Sequence, residues 1–325
     1  MFPADFAYAR PGSVAGALAQ LEAAEAAGND VKVLAGGQSL LPMMKLRLAA
    51  PAALLDIGDL TELKGVSLDG GSVRIGALTT YRDLQRDPRV AAGFPAIADA
   101  LDVLADPQVR ARGTIGGALA HGDPAADLPA VLLALGAHVT IASRTRTRTV
   151  ALADFLLGVF HTDLAAHELI TAVTIPVAPP GQAYEKFPQP ASHLPLAGAC
   201  TVIEAEGEAI ASVRVCVTGI APRAFRAHLA ERELRSRPVP ALLAQLSGSG
   251  SPGSAGLPGS PGLPGVLELD AMLAGAIAGS LASTGTKPLA DQHASGPFRV
   301  HLAGVMARRA LARALSRAEG EAGAA

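Results

Sequence analysis

The chain has 325 residues, of which 50% are hydrophobic and 17% charged, with a formal net charge of −2 and a mean hydropathy of +0.32. That length suits two domains, and the apolar content supplies a sizeable core, which excludes a wholly disordered chain. No basic surplus exists to neutralise a phosphate backbone, and two cysteines fall short of the roughly four ligands of a structural zinc site or an iron–sulfur cluster.

The N-terminal segment carries Asp5 and lacks a basic run followed by an apolar one, so no signal peptide is expected. Ser13 caps a predicted helix that reaches Ala27 and stops at Gly28. Residues 31–34 form a β-branched strand that ends at Gly36-Gly37. Residues 54–57 and 72–77 read as strands, with Asp69-Gly70-Gly71 as the turn into the second. A helix over 80–85 is followed by Pro88. A helix over 94–103 leads to Arg112-Gly113-Thr114-Ile115-Gly116-Gly117. Residues 127–135 are helical, 137–142 and 146–150 pair as a hairpin, and a strand over 168–175 is stopped by Pro176.

Composition shifts at Val177-Ala178-Pro179-Pro180-Gly181, which sets two expected domains, 1–177 and 178–325. In the second, 198–205 and 211–220 alternate as antiparallel strands. Helices are expected over 222–235, 240–246, 269–282 and 298–318. The weakly polar stretch 271–282 is shorter than the ~20 residues that cross a bilayer, so no membrane span is expected and the location is read as cytoplasmic. Residues 247–265 carry glycine at every third position and read as an extended Gly/Pro/Ser-rich linker. The nominal G-x-G-x-x-G at 248–253 follows no strand and opens no helix, so it is rejected as a dinucleotide fingerprint.

Two glycine loops carry the chemistry. In Leu34-Ala35-Gly36-Gly37-Gln38-Ser39-Leu40 a strand runs into two glycines and two small polar residues. Glycine admits positive φ and close ligand approach, and successive amides in such a turn form an anion-binding nest. Thr114-Ile115-Gly116-Gly117 repeats the pattern. Two such loops could clamp a pyrophosphate from both sides; two ordinary tight turns would contain the same glycines.

The motifs AGGQSLLPMMKLRLAAPAALLDIGDLTEL, IGALTTYRDL, VRARGTIGGALAHGDPAADLPAVLLAL, ELITAVTIP and HASGPFRVHLAGVMARRAL occur in this order after the opening FPADFAYARPGSV. In this the chain resembles the FAD-binding medium subunit of the molybdenum hydroxylases, the family of carbon monoxide, xanthine and nicotine dehydrogenases. The resemblance runs over nearly the whole chain. It implies an α+β fold: a two-part FAD-binding domain of the vanillyl-alcohol-oxidase and MurB-like (PCMH) type, then a smaller α+β domain with a three-stranded antiparallel sheet and helices.

The resemblance also implies site roles. Ala35, Gly36, Gly37, Gln38 and Ser39, flanked by Leu34 and Leu40, would hold the FAD pyrophosphate, with Thr114, Gly116 and Gly117 on the other side. Asp127 would bond the ribose or adenine end, Ile170 would pack on the nucleotide or flavin, and Lys186 would reach the flavin ring, where a cation stabilises negative charge on reduction. The chain departs from the family pattern at Ala111, where Asn is frequent, and at Ala118, where Ser or Asn is frequent. FPQPASHLPLAG after Lys186 lacks the usual basic and Asp-Phe pattern, and the 247–265 linker looks like an insertion.

Other residues have plainer readings. His121 could touch the flavin or a partner, or order a turn. Asp102, Asp106 and Asp123 read as turn and cap residues. Arg144, Arg146 and Arg148 share one strand face and read as a solvated edge. Cys200 and Cys216 read as buried packing. No histidine lies in the first glycine loop, so FAD would be noncovalent, and no metal site or catalytic residue is assigned. The expected function is electron transfer within a heteromeric molybdenum hydroxylase. Molybdopterin would sit on a large partner subunit and [2Fe–2S] clusters on a small one, with NAD or a quinone as acceptor. The alternatives are a stand-alone flavin oxidoreductase of the same fold and a flavin-free scaffold subunit.

Overall fold

A computed structural model describes residues 2–246 and 264–322. The chain divides into two compact units. Unit 1 comprises Met1–Ala91, Leu104–Asp123 and Gly136–Val177; unit 2 comprises Ala92–Val103, Pro124–Leu135 and Ala178–Ala325. Compactness therefore does not follow a single cut at 177: two segments from the first half of the chain belong to unit 2.

Unit 1 opens with β1 (Ala7–Ala9), α1 (Val14–Ala26), β2 (Val31–Leu34), α2 (Leu40–Lys45) and β3 (Ala53–Asp56). Ser13 caps α1 by accepting a hydrogen bond from the Gly16 amide. The three strands form a parallel sheet in the order β1-β3-β2. Ala17, Leu18 and Leu21 of α1 pack with Leu55, Ile57, Leu60 and Leu63 into one apolar cluster. β4 (Val66–Asp69) and β5 (Ser72–Gly76) turn through Gly70 and Gly71, both at positive φ. They are followed by α3 (Tyr81–Arg86) and α4 (Pro88–Gly93).

The next helices alternate between the units. α5 (Pro95–Val103) belongs to unit 2, α6 (Pro107–Arg112) and α7 (Ile115–His121) to unit 1, and α8 (Asp127–Ala134) to unit 2. β6 (His138–Ala142), β7 (Thr147–Ala151), α9 (Leu152–Phe155), β8 (Leu156–Gly158), β9 (His161–Thr162) and β10 (Leu169–Pro176) complete unit 1. Its second sheet is antiparallel in the order β4-β5-β10-β6-β7, and β8 and β9 form a separate hairpin.

Unit 2 is built on β11 (Gly181–Pro188), β12 (Pro195–Glu206), β13 (Ala209–Thr218) and β14 (Phe225–Arg226), antiparallel in that order. The expected three strands are present, and a short fourth is added. It forms because the chain reverses at Gly219 and pairs Phe225 and Arg226 back onto Val217 and Cys216. The helix expected over 222–235 accordingly begins only at His228, as α10 (His228–Arg235). α11 (Val239–Leu246), α12 (Pro264–Ala282) and α13 (Gly296–Ala322) follow.

The linker reading at 247–263 falls outside the described residues, and Pro264 and Gly265 open α12. Longer than its sequence suggested, α12 is the one helix among the described residues long and apolar enough to cross a membrane. Here Leu269, Leu273, Ile277 and Leu281 are buried in the core of unit 2 with Leu302, Met306, Leu311 and Leu315 of α13. Each such side chain contributes about 2 kcal/mol through burial. Asp99 ties α5 into this unit by accepting bonds from Arg313 at 2.7 Å, Arg317 at 2.8 Å and the Tyr184 amide at 3.1 Å.

The arginine face expected on the edge strand is not simply solvated. Arg144 pairs with Glu22, while Arg148 donates to Glu168 at 3.0 and 2.7 Å and is ion-paired with Asp163. The Glu168 side chain is fully buried, so the guanidinium compensates an enclosed carboxylate.

Arg148→Met is expected to destabilise the chain by about 3 kcal/mol in urea unfolding at neutral pH, because it leaves that buried carboxylate only the more distant Arg146, at 3.6 Å, and the Ala165 amide. The hydrogen bonds from Arg148 hold Glu168 below its ordinary value of 4.5. Its stabilisation is therefore complete above 4.5 and lost as pH falls through the lower folded-state value. The stability gap between wild type and variant should narrow on acidification through that range.

Candidate cofactor site

The first glycine loop leaves the parallel sheet at Leu34, whose carbonyl accepts from Ile57, and enters α2 at Leu40. Among the described residues, the amides of Gly36, Gly37, Gln38 and Ser39 have no acceptor within the protein. Gly37 takes φ +75°, a backbone state that L side chains rarely adopt, and the turn of successive amides there makes an anion nest. Gln38 and Ser39 are exposed. Gly36 serves a different purpose: a Cβ there would overlap the Arg112 carbonyl oxygen and lie 3.0 Å from the Gly113 Cα. Its missing side chain lets the two loops touch backbone to backbone.

The second loop is not a mirror image of the first. Thr114 caps α7 by accepting from the Gly117 amide at 3.1 Å. The Ile115 and Gly116 amides donate to the Thr79 and Ala77 carbonyls at 3.2 and 2.8 Å, and Ala118 donates to Thr114. These amides are committed internally, so the second loop supplies no nest. It offers the Thr114 hydroxyl hydrogen and a smooth surface. A Cβ at Gly117 would lie 3.8 Å from Ala35 Cβ, which places the two loops side by side. Residues Leu34 to Leu40 and Thr114 to Gly117 are thus brought together in unit 1. Arg112, given no role from the sequence, is exposed there, and its side chain makes no hydrogen bond or ion pair among the described residues. Its place in VRARGTIGG, directly before the second loop, was the available signal.

Ile170 lies in β10 opposite Ile141, beside a bulge at Thr171, and is 5% exposed. Asp127 and Lys186 belong to unit 2, where they meet each other. Lys186 Nζ is 3.1 Å from the Asp127 carboxylate and donates to the His193 carbonyl at 2.8 Å. The Tyr184 hydroxyl donates to Asp127 at 2.7 Å. Both members of the ion pair are nearly fully buried. Burial raises the Asp127 carboxyl above its ordinary value, against the opposing pull of Lys186 and Tyr184. Tyr184, within AYEKF, was missed from sequence because its phenol reads as ordinary strand packing. Cys200 and Cys216 are buried opposite each other on β12 and β13, and burial raises both thiols.

Residues 4–178 match the family described as the FAD binding domain in molybdopterin dehydrogenase. The carbon monoxide dehydrogenase medium chain of Afipia carboxidovorans is 36% identical over 98% of this chain and 100% of that protein. The corresponding medium chain of Hydrogenophaga pseudoflava is 42% identical over 70% of this chain and 78% of its own length. Among solved structures, a chain of reconstituted CO dehydrogenase from Oligotropha carboxidovorans superposes with a TM-score of 0.82 at 34% identity, covering 98% of this chain and 100% of that one.

Lys186→Met is expected to cost about 3–5 kcal/mol in urea unfolding, because Asp127 stays buried without its cation. Adding Asp127→Asn should restore roughly half of that loss by removing the stranded charge. A single variant as stable as wild type would show that the pair does not hold unit 2.

Proposed function

This chain belongs to the family of FAD-binding domains of molybdopterin dehydrogenases, and from that premise we propose that it is the FAD-carrying electron-transfer subunit of a heteromeric molybdenum hydroxylase. The observation that carries the reading is the run of four uncommitted amides from Gly36 to Ser39. A pyrophosphate is the group such a nest suits, and the absence of a histidine in this loop leaves FAD noncovalent.

In this reading the amides of Gly36, Gly37, Gln38 and Ser39 donate to the phosphate oxygens, and the Gln38 and Ser39 side chains add donors. Leu34, Ala35 and Leu40 flank the nest. Thr114 supplies a hydroxyl from the facing loop, and Gly116 and Gly117 keep that loop close. Ile170 packs against the nucleotide or ring. Asp127 is assigned to the ribose or adenine end and Lys186 to the flavin, with Tyr184 and the His193 carbonyl holding that pair in position. When bound, FAD accepts electrons one at a time and releases them singly or in pairs. The chain itself binds and orients that group.

The other redox centres belong to partners. A chain with two cysteines, both buried and with raised thiol pKa values, lacks the thiolates that a [2Fe–2S] cluster takes. The proposed partners are a molybdopterin-binding large subunit and a [2Fe–2S] small subunit, and the proposed acceptor is NAD or a quinone. The domain division proposed is 1–177 for FAD binding and 178–325 for the smaller C-terminal domain, a division that the family match over 4–178 supports. The proposed location is the cytoplasm.

Flavin titration tests the nest. Wild-type chain is expected to bind FAD with a flavin absorption spectrum. Gly37→Ala forces a side chain into the left-handed turn and should weaken FAD at least tenfold, about 1.4 kcal/mol. Full flavin retention in that variant would overturn the pyrophosphate assignment, and a wild-type chain that takes no flavin would favour the scaffold alternative.

A further inference from the structure

We propose that unit 2 carries a small-molecule site of its own, which binds an uncharged ring bearing carbonyl oxygens, a quinone or a cyclic amide. The site is a cavity of about 480 Å³ lined by the loop at 189–196 and the segment at 291–299. That volume suits a compound of one or two rings. The cavity shares no residue with the glycine loops, and the site stands whether or not the chain holds FAD.

Both walls are held in place by the protein's own hydrogen bonds. In the loop after β11, Gln189 Oε1 accepts from the Ala191 and Ser192 amides at 2.8 and 2.6 Å, and Lys186 holds the His193 carbonyl at 2.8 Å. On the other side, the Asp291 carboxylate accepts from the His293 and Ala294 amides at 2.9 and 3.0 Å and from Arg299 Nη2 at 2.6 Å. Arg299 is 5% exposed, and its Nη1 donates to the Leu196 and Gly219 carbonyls at 2.9 and 2.8 Å. Walls fixed in advance lower the ordering cost that a ligand must meet.

What the walls leave over is donors. The Nε–H of Arg299 is buried and has no acceptor among the described residues. The Ser192 hydroxyl accepts from the Leu194 amide at 3.3 Å, and neither its hydrogen nor the amide hydrogens of Gln189 meet an acceptor among the described residues. A buried donor without an acceptor is costly, and a ligand oxygen removes that cost. The fixed charges of the cavity are Arg299 and Asp291, which neutralise each other. No net charge remains to draw an anion, and Asp291 would repel a carboxylate or a phosphate. Leu194, Pro195 and Leu196 supply an apolar wall. Spare donors, balanced charge and apolar surface together suit carbonyl oxygens on a ring.

Calorimetry on the full chain tests the site with duroquinone, 2-pyridone and benzoate, the last a ring of similar size with a full negative charge. Wild type, Ser192→Ala and Ala191→Phe are compared, with thermal melts to verify folding. Ala191 lines the cavity from an exposed position, so its replacement by Phe obstructs the space without entering the core. Wild type is expected to bind duroquinone or 2-pyridone with a Kd below about 1 mM, and benzoate at least tenfold more weakly. Binding of either neutral probe supports the site, and the tighter of the two distinguishes a quinone from a cyclic amide. Ser192→Ala should weaken that probe about fivefold, the worth of one neutral hydrogen bond, and Ala191→Phe should abolish its binding. Failure of both neutral probes overturns the proposal, as does benzoate binding as tightly as they do. Unchanged binding in Ala191→Phe also overturns it, by moving the ligand away from this cavity.

Discussion

Backbone meets backbone where Gly36 lies against the carbonyl of Arg112, and the candidate site depends on that contact. No side chain fits at position 36. Because none is there, the loop after β2 can approach the turn before α7, and Ala35 can lie beside Gly117. The loop that carries the free amides then has a second loop beside it. A nest alone binds anions weakly; one with a wall beside it can hold a ligand in one orientation.

The same glycine-rich signature produces opposite hydrogen-bond outcomes in the two loops. After β2 the chain has only a short helix to enter, and four amides stay unpaired. Before α7 the carbonyls of Ala77 and Thr79, in the turn after β5, accept the amides of Gly116 and Ile115. Glycine composition states that a backbone can come close to something. It does not state whether the neighbour is a ligand or another part of the protein.

Buried charge organises the rest. Asp99, the buried acid of the largely apolar helix α5, collects two arginines of α13 and an amide of β11. Asp127 collects Lys186 and Tyr184, and Glu168 collects Arg148. Each is a carboxylate whose desolvation is offset by a partner distant in sequence, so losing one partner costs more than the pair contributes. Such pairs commit each segment to one neighbour, as α5 and α8 are committed to unit 2 although their chain neighbours belong to unit 1.

The sequence by itself determined the elements with local causes. The Ser13 cap, the 31–34 strand, the Gly70-Gly71 turn and the paired strands around Cys200 and Cys216 rest on propensity, capping and alternation, which act over a few residues. It also determined the family and the glycine positions, because long ordered motifs are themselves sequence. Tertiary structure alone decided which amides remain free, which acid faces which base, and that residues 222–227 form a strand and turn before α10. Those outcomes depend on carbonyls and cations brought in from tens to hundreds of residues away, as Arg317 is to Asp99. Hydrogen-bond satisfaction and charge burial are properties of such distant contacts, and no local pattern encodes them.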